Sequence, residues 1–272
     1  MNQTARPLIP EQRHQEILRL LQQEGVLSIR SLTDHMNVSH MTVRRDITAL
    51  EDMGHVVSVQ GGVRLAKRAG PTSLKGRELK ARRELPRKKA IAELAAQFVE
   101  DDMVVFLDSG TTCQSLVPHL GPRRNLTVVT NNFHVVNGLF THTHIEVIHT
   151  GGAVDPYSGS SEGRLAADAI KSVNIDRSFL STETWNMSRG VTSSSMEKVE
   201  VKLATLQAST SCFLLADSTK FGTISKFCVA AIDQLDAVVT DEQLSHQVQE
   251  NIRDRGVAVH VAALRKRTPS GS

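Results

Sequence analysis

Apolar residues recur at helical spacing in three successive short segments at the start of the chain. Ile17, Leu18 and Leu21 mark a helix over 11–25 that closes on Gly25, and Ile29, Leu32 and Met36 mark a second over 28–36 behind Ser28. Val43, Ile47 and Leu50 mark a third over 39–54, with Ser39 as its N-cap and Gly54 just past its last turn. Only Asn37 and Val38 separate the second helix from the third. Two β-prone runs in 55–68, around Gly61-Gly62, predict a hairpin. Three helices and a hairpin make a winged helix, in which the second and third helices form a helix-turn-helix.

A different rhythm begins near residue 87. The segment KKAIAELAAQFVEDD (88–102) predicts a helix behind Pro86 with Ile91, Leu94, Ala95 and Phe98 as its buried stripe. Short runs that are apolar throughout, not alternating, follow at 103–112, 126–132, 145–152, 212–220 and 237–242, with helical stretches such as 199–209 and 245–256 between several of them. Such runs are expected for strands buried on both faces of a parallel sheet, and strand alternating with helix predicts a doubly wound α/β body. The expected division is a winged-helix domain at 1–65, a basic linker containing Gly70-Pro71 at 66–86, an α/β domain at 87–264 and a disordered tail at 265–272.

Charge sharpens this division. Residues 1–90 carry 17 Lys and Arg against 9 Asp and Glu, whereas residues 91–272 carry 15 against 20. A basic front end on an acidic body is the pattern of a nucleic-acid-binding domain joined to something else. On the third helix, His40, Thr42, Arg44 and Arg45 lie away from the apolar stripe near the N-terminal end, the end that enters a major groove. On the hairpin, Arg64, Lys67 and Arg68 are placed for flanking phosphates. The three cysteines lack metal-type spacing, and Cys212 sits in the apolar run CFLLA as a core residue, so no disulfide, metal or cofactor is read. No apolar run is long enough to span a bilayer, and the N-terminus lacks the order of a signal peptide, so a cytoplasmic protein is expected.

In doubly wound folds ligands bind outside the carboxyl ends of the strands. Those ends carry Asp108-Ser109-Gly110-Thr111-Thr112, Thr130-Asn131, Gly151-Gly152 and Asp217-Ser218-Thr219-Lys220. Small and hydroxyl-bearing residues suit backbone N–H groups closing round a phosphate, and Lys202 and Lys220 would supply positive charge. Gly-Thr-Thr after a strand also reads as a helix cap, and Gly-Gly as a turn; their convergence on one sheet edge is what favours a ligand. Two other readings stand beside this one. Asp108, Glu183, Glu197 or Lys202 would be the base of an isomerase or transferase with an attached DNA-binding domain. His142, His144 and His149 in THTHIEVIH have strand spacing for a metal, although no acidic or thiol partner lies nearby in sequence and solvated loop histidines are favoured.

The segment LTDHMNVSHMTVRRDITALEDMGHVVSVQGGV, followed in order by FLDSGTT, VVTNN, HTGG, DRSFLS, ADSTKFG and VVTDE, resembles the DeoR-type bacterial transcription regulators over roughly residues 11–262. Most members are repressors. The resemblance implies a winged helix that binds operator DNA and a C-terminal α/β sensor domain similar to ribose-5-phosphate isomerase and the CoA transferases. It also implies a phosphorylated sugar or sugar-acid effector that releases the DNA. Two winged helices that must match half-site spacing give the expected homo-oligomer, dimer or tetramer. By motif, the DNA contacts are Ser39, Thr42, Arg44 and Arg45, and the effector contacts are Asp108, Ser109, Gly110, Thr111, Thr112, Thr130, Asn131, Gly151, Gly152, Lys202, Asp217 and Lys220. The chain departs from the family at STETWNMSRG, where a Gly-x-Asp-Gly-like turn is replaced, with Ser181, Glu183 and Thr184 at the matching places. Trp185, the one tryptophan, is expected in this turn, either packed on a neighbour or sheet edge or touching ligand.

Overall fold

The computed structural model describes residues 10–52, 56–59, 61–65 and 80–264, which fall into two compact units divided between residues 73 and 74. Gly54, Lys67, Arg68, Gly70-Pro71, most of the predicted linker and the tail at 265–272 lie outside the described residues.

The first unit contains α1 (Pro10–Glu24), β1 (Val26–Leu27), α2 (Ile29–Met36), α3 (His40–Asp52), β2 (Val56–Val59) and β3 (Gly62–Leu65). The apolar stripes of the three helices meet as predicted. Ile17, Leu21, Leu32, Val43, Ile47 and Leu50 are buried together with Val56 and Val63 of the hairpin. The hairpin is the expected wing, to which β1 adds a third strand by pairing with β3. Two residues are too few to show a period, so β1 had no sequence signal. A Cβ on Gly62 would lie 2.3 Å from the Leu27 carbonyl oxygen, which is why this strand start is glycine.

The second unit runs through α4 (Leu85–Ala95), β4 (Val104–Leu107), α5 (Thr111–Gln114), β5 (Thr127–Thr130), α6 (Phe133–Leu139), β6 (Glu146–His149), β7 (Ala153–Asp155), β8 (Ser160–Glu162), α7 (Gly163–Lys171) and β9 (Ile175–Ser181). It continues with β10 (Thr184–Asn186), β11 (Gly190–Ser193), α8 (Met196–Ala208), β12 (Ser209–Leu215), β13 (Phe227–Ala230), β14 (Ala237–Asp241), α9 (His246–Arg253) and β15 (Ala258–Ala262). Seven strands form one parallel sheet in the order β15-β14-β12-β9-β4-β5-β6.

Both faces of this sheet are covered. Val105 and Leu107 of β4 enter one apolar cluster with Ile91, Ala95 and Leu116, while Phe106 between them enters the other with Ile170, Leu180 and Trp185. Burial on both sides is the cause of the uninterrupted apolar run at this strand. The chain moves outward from β4 through β5 to β6, then returns to the other side of β4 at β9 and moves outward again to β15. That reversal makes the ends of β4 and β9 the switch point of the fold, and Leu107 pairs there with Phe179.

Some elements differ from expectation. Helix α4 starts earlier than predicted, because Pro86 sits inside its first turn, where no N–H is needed, and it gives way to a 3-10 turn at Ala96–Phe98. The run at 145–152 is not buried on both faces: β6 is the sheet edge, and Glu146 and Ile148 are exposed. Trp185 is not in a turn. It lies in β10, opposite Val191 of β11, fully buried against Phe221. Strand β15 was not predicted.

Candidate functional site

In the first unit, α3 carries the candidate nucleic-acid contacts. The Ser39 hydroxyl accepts from the Thr42 N–H at 3.2 Å and shares a 2.8 Å hydrogen bond with the Thr42 hydroxyl, which fixes the start of the helix. His40, Arg44 and Arg45 are exposed, and neither arginine side chain has a hydrogen bond or ion pair among the described residues. Arg64 is half-buried on β3. Sequence reasoning missed Asp46, which is buried on the inner side of the same helix. It accepts from Arg13 at 2.6 and 3.0 Å and lies 3.3 Å from His14, so α1 is clamped to α3 by charge as well as by apolar packing.

In the second unit, the site forms around the switch point. Asp108 follows β4 and is buried. One carboxylate oxygen accepts from the Ser181 N–H at 2.9 Å and from the Ser181 hydroxyl at 2.8 Å, and it is ion-paired with Lys202 of α8. Lys202 also donates to the Ser181 carbonyl at 2.6 Å. Burial alone would raise the Asp108 carboxyl, but Lys202 and the two Ser181 donors outweigh it and hold the acid below the usual carboxylate range. Asp108 is therefore an anchor that ties α8 to the ends of β4 and β9 through one carboxylate oxygen. Gly110 passes so close that a Cβ there would lie 2.1 Å from the Ser181 hydroxyl oxygen.

Above this anchor lies a pocket walled by residues 109–112 on one side, Ser181, Thr182 and Glu183 after β9, Thr192, Ser193 and Ser194 at the end of β11, and Tyr157 and Ser158 of the loop between β7 and β8. Five lysines enter it: Lys80, Lys88, Lys198, Lys202 and Lys220. Burial, and then the ammonium of Lys220, push Lys88 down to about 8. Lys220 is lowered as well, chiefly by burial, against the pull of Asp217. Lys198 is raised: burial opposes its charge, but Glu162, Asp155 and Glu183 more than compensate.

Of the residues expected to touch an effector, Ser109, Gly110, Thr111, Thr112, Lys202 and Lys220 line this pocket. Asp108, Thr130, Asn131, Gly151, Gly152 and Asp217 do not. The Thr130 hydroxyl donates to the Leu107 carbonyl at 2.7 Å, and the Asn131 amide donates to the Ser161 carbonyl at 2.9 Å, so both tie strand ends together. Asp217 caps the turn that holds Lys220 by accepting from the Thr219 N–H at 3.2 Å. Gly151 and Gly152 adopt positive φ in the exposed turn after β6.

Lys80, Lys88 and Lys198 were missed. Lys88 had a signal, since it stands on the buried stripe of α4 with Ile91, Ala92 and Ala95, a position where lysine needs a reason. Asn132 was also missed; its side-chain amide donates to the carbonyls of Ser109 and Ser158 at 3.2 and 3.3 Å and so joins two pocket walls. The three histidines do not converge. His149 stacks on Phe133 and accepts from the Gly151 N–H, while the His144 ring lies 3.0 Å from the Gly121 carbonyl oxygen.

Two family models cover most of the chain. Residues 13–69 match the DeoR-like helix-turn-helix domain, and residues 83–242 match the DeoR C terminal sensor domain. This chain belongs to the DeoR family. It is 36% identical over 255 residues to the uncharacterized HTH-type transcriptional regulator YgbI of Escherichia coli K12, across 94% of this chain and 99% of that one. It is 27% identical over 250 residues to the glycerol-3-phosphate regulon repressor of the same organism, across 92% and 98%. Among solved structures, ribose 5-phosphate isomerase A from Neisseria gonorrhoeae shares 16% identity over 51% of this chain and 53% of its own, with a TM-score of 0.36.

A DeoR-family chain is a DNA-binding transcriptional regulator with a small-molecule sensor domain, not an enzyme. The groups nominated as catalytic bases each have a partner in the structure. Asp108 is held by Lys202 and Ser181, Glu183 by Lys80, and Glu197 by the Ser195 hydroxyl at 2.7 Å. Among the described residues no helix is long and apolar enough to cross a membrane.

Proposed function

We propose that this regulator represses a carbohydrate-utilisation operon and leaves its operator when a phosphorylated sugar or sugar acid fills the lysine-lined pocket of its sensor domain. The observation that carries this reading is the convergence of five lysines with hydroxyl-rich loops at the switch point of the sheet. That set of groups suits a phosphate ester: ammonium groups for the charge, and backbone N–H groups and hydroxyls for its oxygens. The name of the glycerol-3-phosphate regulon repressor points to the same class of metabolism.

In this reading Ser39, His40, Thr42, Arg44 and Arg45 face the major groove, and Arg64 faces a phosphate. Asp108 does not touch the effector but holds Lys202 and Ser181 where they meet it. The protein works in the cytoplasm as a dimer or tetramer, because paired winged helices must match the spacing of two half-sites. The test is fluorescence anisotropy of labelled DNA from the region upstream of its own gene, titrated with sugar phosphates, sugar-acid phosphates and their unphosphorylated counterparts. Release by a phosphorylated compound alone is the expected result; tight DNA binding that no compound disturbs would remove the effector assignment.

A further inference from the structure

The lysines of the pocket are not equally available to a ligand. Lys202 is paired with buried Asp108. Lys198 lies 3.4 Å from both Asp155 and Glu162. Lys80 is paired with Glu183. Lys88 donates to the backbone carbonyl of Lys80 at 2.5 Å and has no carboxylate within ion-pair distance, and Lys220 has none either among the described residues. These two ammonium groups repel each other; Asp217, engaged with Thr219, acts on both, Glu84 on Lys88 and Glu183 on Lys220, none of them from within ion-pair distance. Two ammonium groups without an ion-pair partner among the described residues match one phosphate ester, which carries about −1.5 to −2 near neutral pH.

A second anionic group on the ligand would meet a different surface. The remaining lysines already hold carboxylates, and Glu183 is the one carboxylate among the residues lining the pocket. Glu183 is exposed on the pocket wall, and the ammonium of Lys80 holds its carboxyl below the usual range. Its backbone is also well fixed. Ser181, two residues before it, is bound to Asp108, and the Thr182 hydroxyl donates to the Thr184 carbonyl at 2.8 Å and accepts from the Thr184 N–H at 3.2 Å. A ligand carboxylate would sit beside a fixed negative charge or have to break an ion pair, whereas a ligand hydroxyl donates to Glu183 directly.

We propose that the effector carries one phosphate and an otherwise uncharged polyhydroxyl body, with the phosphate at Lys88 and Lys220, and that Glu183 is the residue that rejects a second anionic group. This rests on the effector reading above and narrows it to sugar phosphates over phosphorylated sugar acids and bisphosphates.

Calorimetric titration of the full-length protein with matched pairs tests it: glyceraldehyde 3-phosphate against 3-phosphoglycerate, erythrose 4-phosphate against 4-phosphoerythronate, ribose 5-phosphate against 5-phosphoribonate, and glucose 6-phosphate against 6-phosphogluconate. In any pair that binds, the uncharged-headed member is expected to bind at least about tenfold more tightly, because like charges placed together disfavour the other. Glu183→Gln should bring that ratio towards one, and Glu183→Asp should retain it, with DNA binding unchanged in both. Tighter binding of the acid member by the unaltered protein overturns the proposal without recourse to any variant. An unchanged ratio in a DNA-binding Glu183→Gln protein overturns the role of Glu183. If no member of any pair binds while DNA binding is intact, the effector reading itself fails and this inference fails with it.

Discussion

Lys88 shows what one residue contributes and how it is tested. Burial on the stripe of α4, and then the charges of Lys220 and Lys80, push it down to about 8 against the pull of Asp217 and Glu84. An anionic ligand favours the protonated form, so the pKa rises on binding and a proton is taken up. Ligand affinity is therefore expected to be level below about pH 8, where Lys88 is already charged, and to fall as the pH rises above that value. Below about pH 6 the phosphate itself protonates and affinity falls again. Calorimetry in buffers of different ionisation enthalpy checks the uptake, and Lys88→Met should move the alkaline limb to higher pH, where Lys220 loses its proton. On α3, Arg44→Ala or Arg45→Ala is expected to cost about 1–3 kcal/mol of operator affinity where the arginine reads a base, and about one unit of salt slope where it meets a phosphate. Anisotropy over a range of salt concentrations separates these cases, and normal operator binding by both variants would refute the placement of this helix. The arginines were legible because they break no rule of an amphipathic helix yet leave their charges without partners. Lys80 was not legible: it stands in the mixed charged run RELKARRE (77–84), and only folding brings Glu183 opposite it.

Elements were legible where burial imposed a period. The stripes of α1, α2 and α3 and the unbroken apolar run of β4 follow directly from which side, or sides, each element buries. Edge and two-residue strands were not, because β6 exposes Glu146 and Ile148 and β1 is too short to alternate. Which loops share a pocket was also hidden. Thr130 and Asn131 end β5, one strand away from the switch point, and their side chains are spent on Leu107 and Ser161. Contacts between elements yield two predictions. Gly110→Ala forces the Ser181 side chain away from Asp108, so the variant is expected to keep operator binding and lose most of its ligand affinity; normal ligand titration would show that the Ser181–Asp108 contact is dispensable. Asp46→Ala leaves Arg13 half-buried without this partner and should destabilise the winged helix by about 3 kcal/mol, seen as earlier loss of helical signal in denaturant. A melting profile equal to that of the unaltered protein would mean that apolar packing alone joins α1 to α3.

The whole molecule joins a basic DNA-binding unit to an acidic body whose pocket collects lysines, and its regulation requires that the two sites communicate. Communication of this kind is a coupling free energy and acts equally in both directions: a ligand that weakens DNA binding by some factor must itself be bound more weakly by the same factor when DNA is present. The most direct measurement is the affinity for an active sugar phosphate, determined by calorimetry on the free protein and on the protein saturated with operator DNA. Ligand binding is expected to be weaker on the DNA complex, by the factor with which that ligand weakens DNA binding in anisotropy, and both effects are expected to be lost in Lys220→Ala. Equal ligand affinity with and without operator, or an undiminished response in Lys220→Ala, would contradict it.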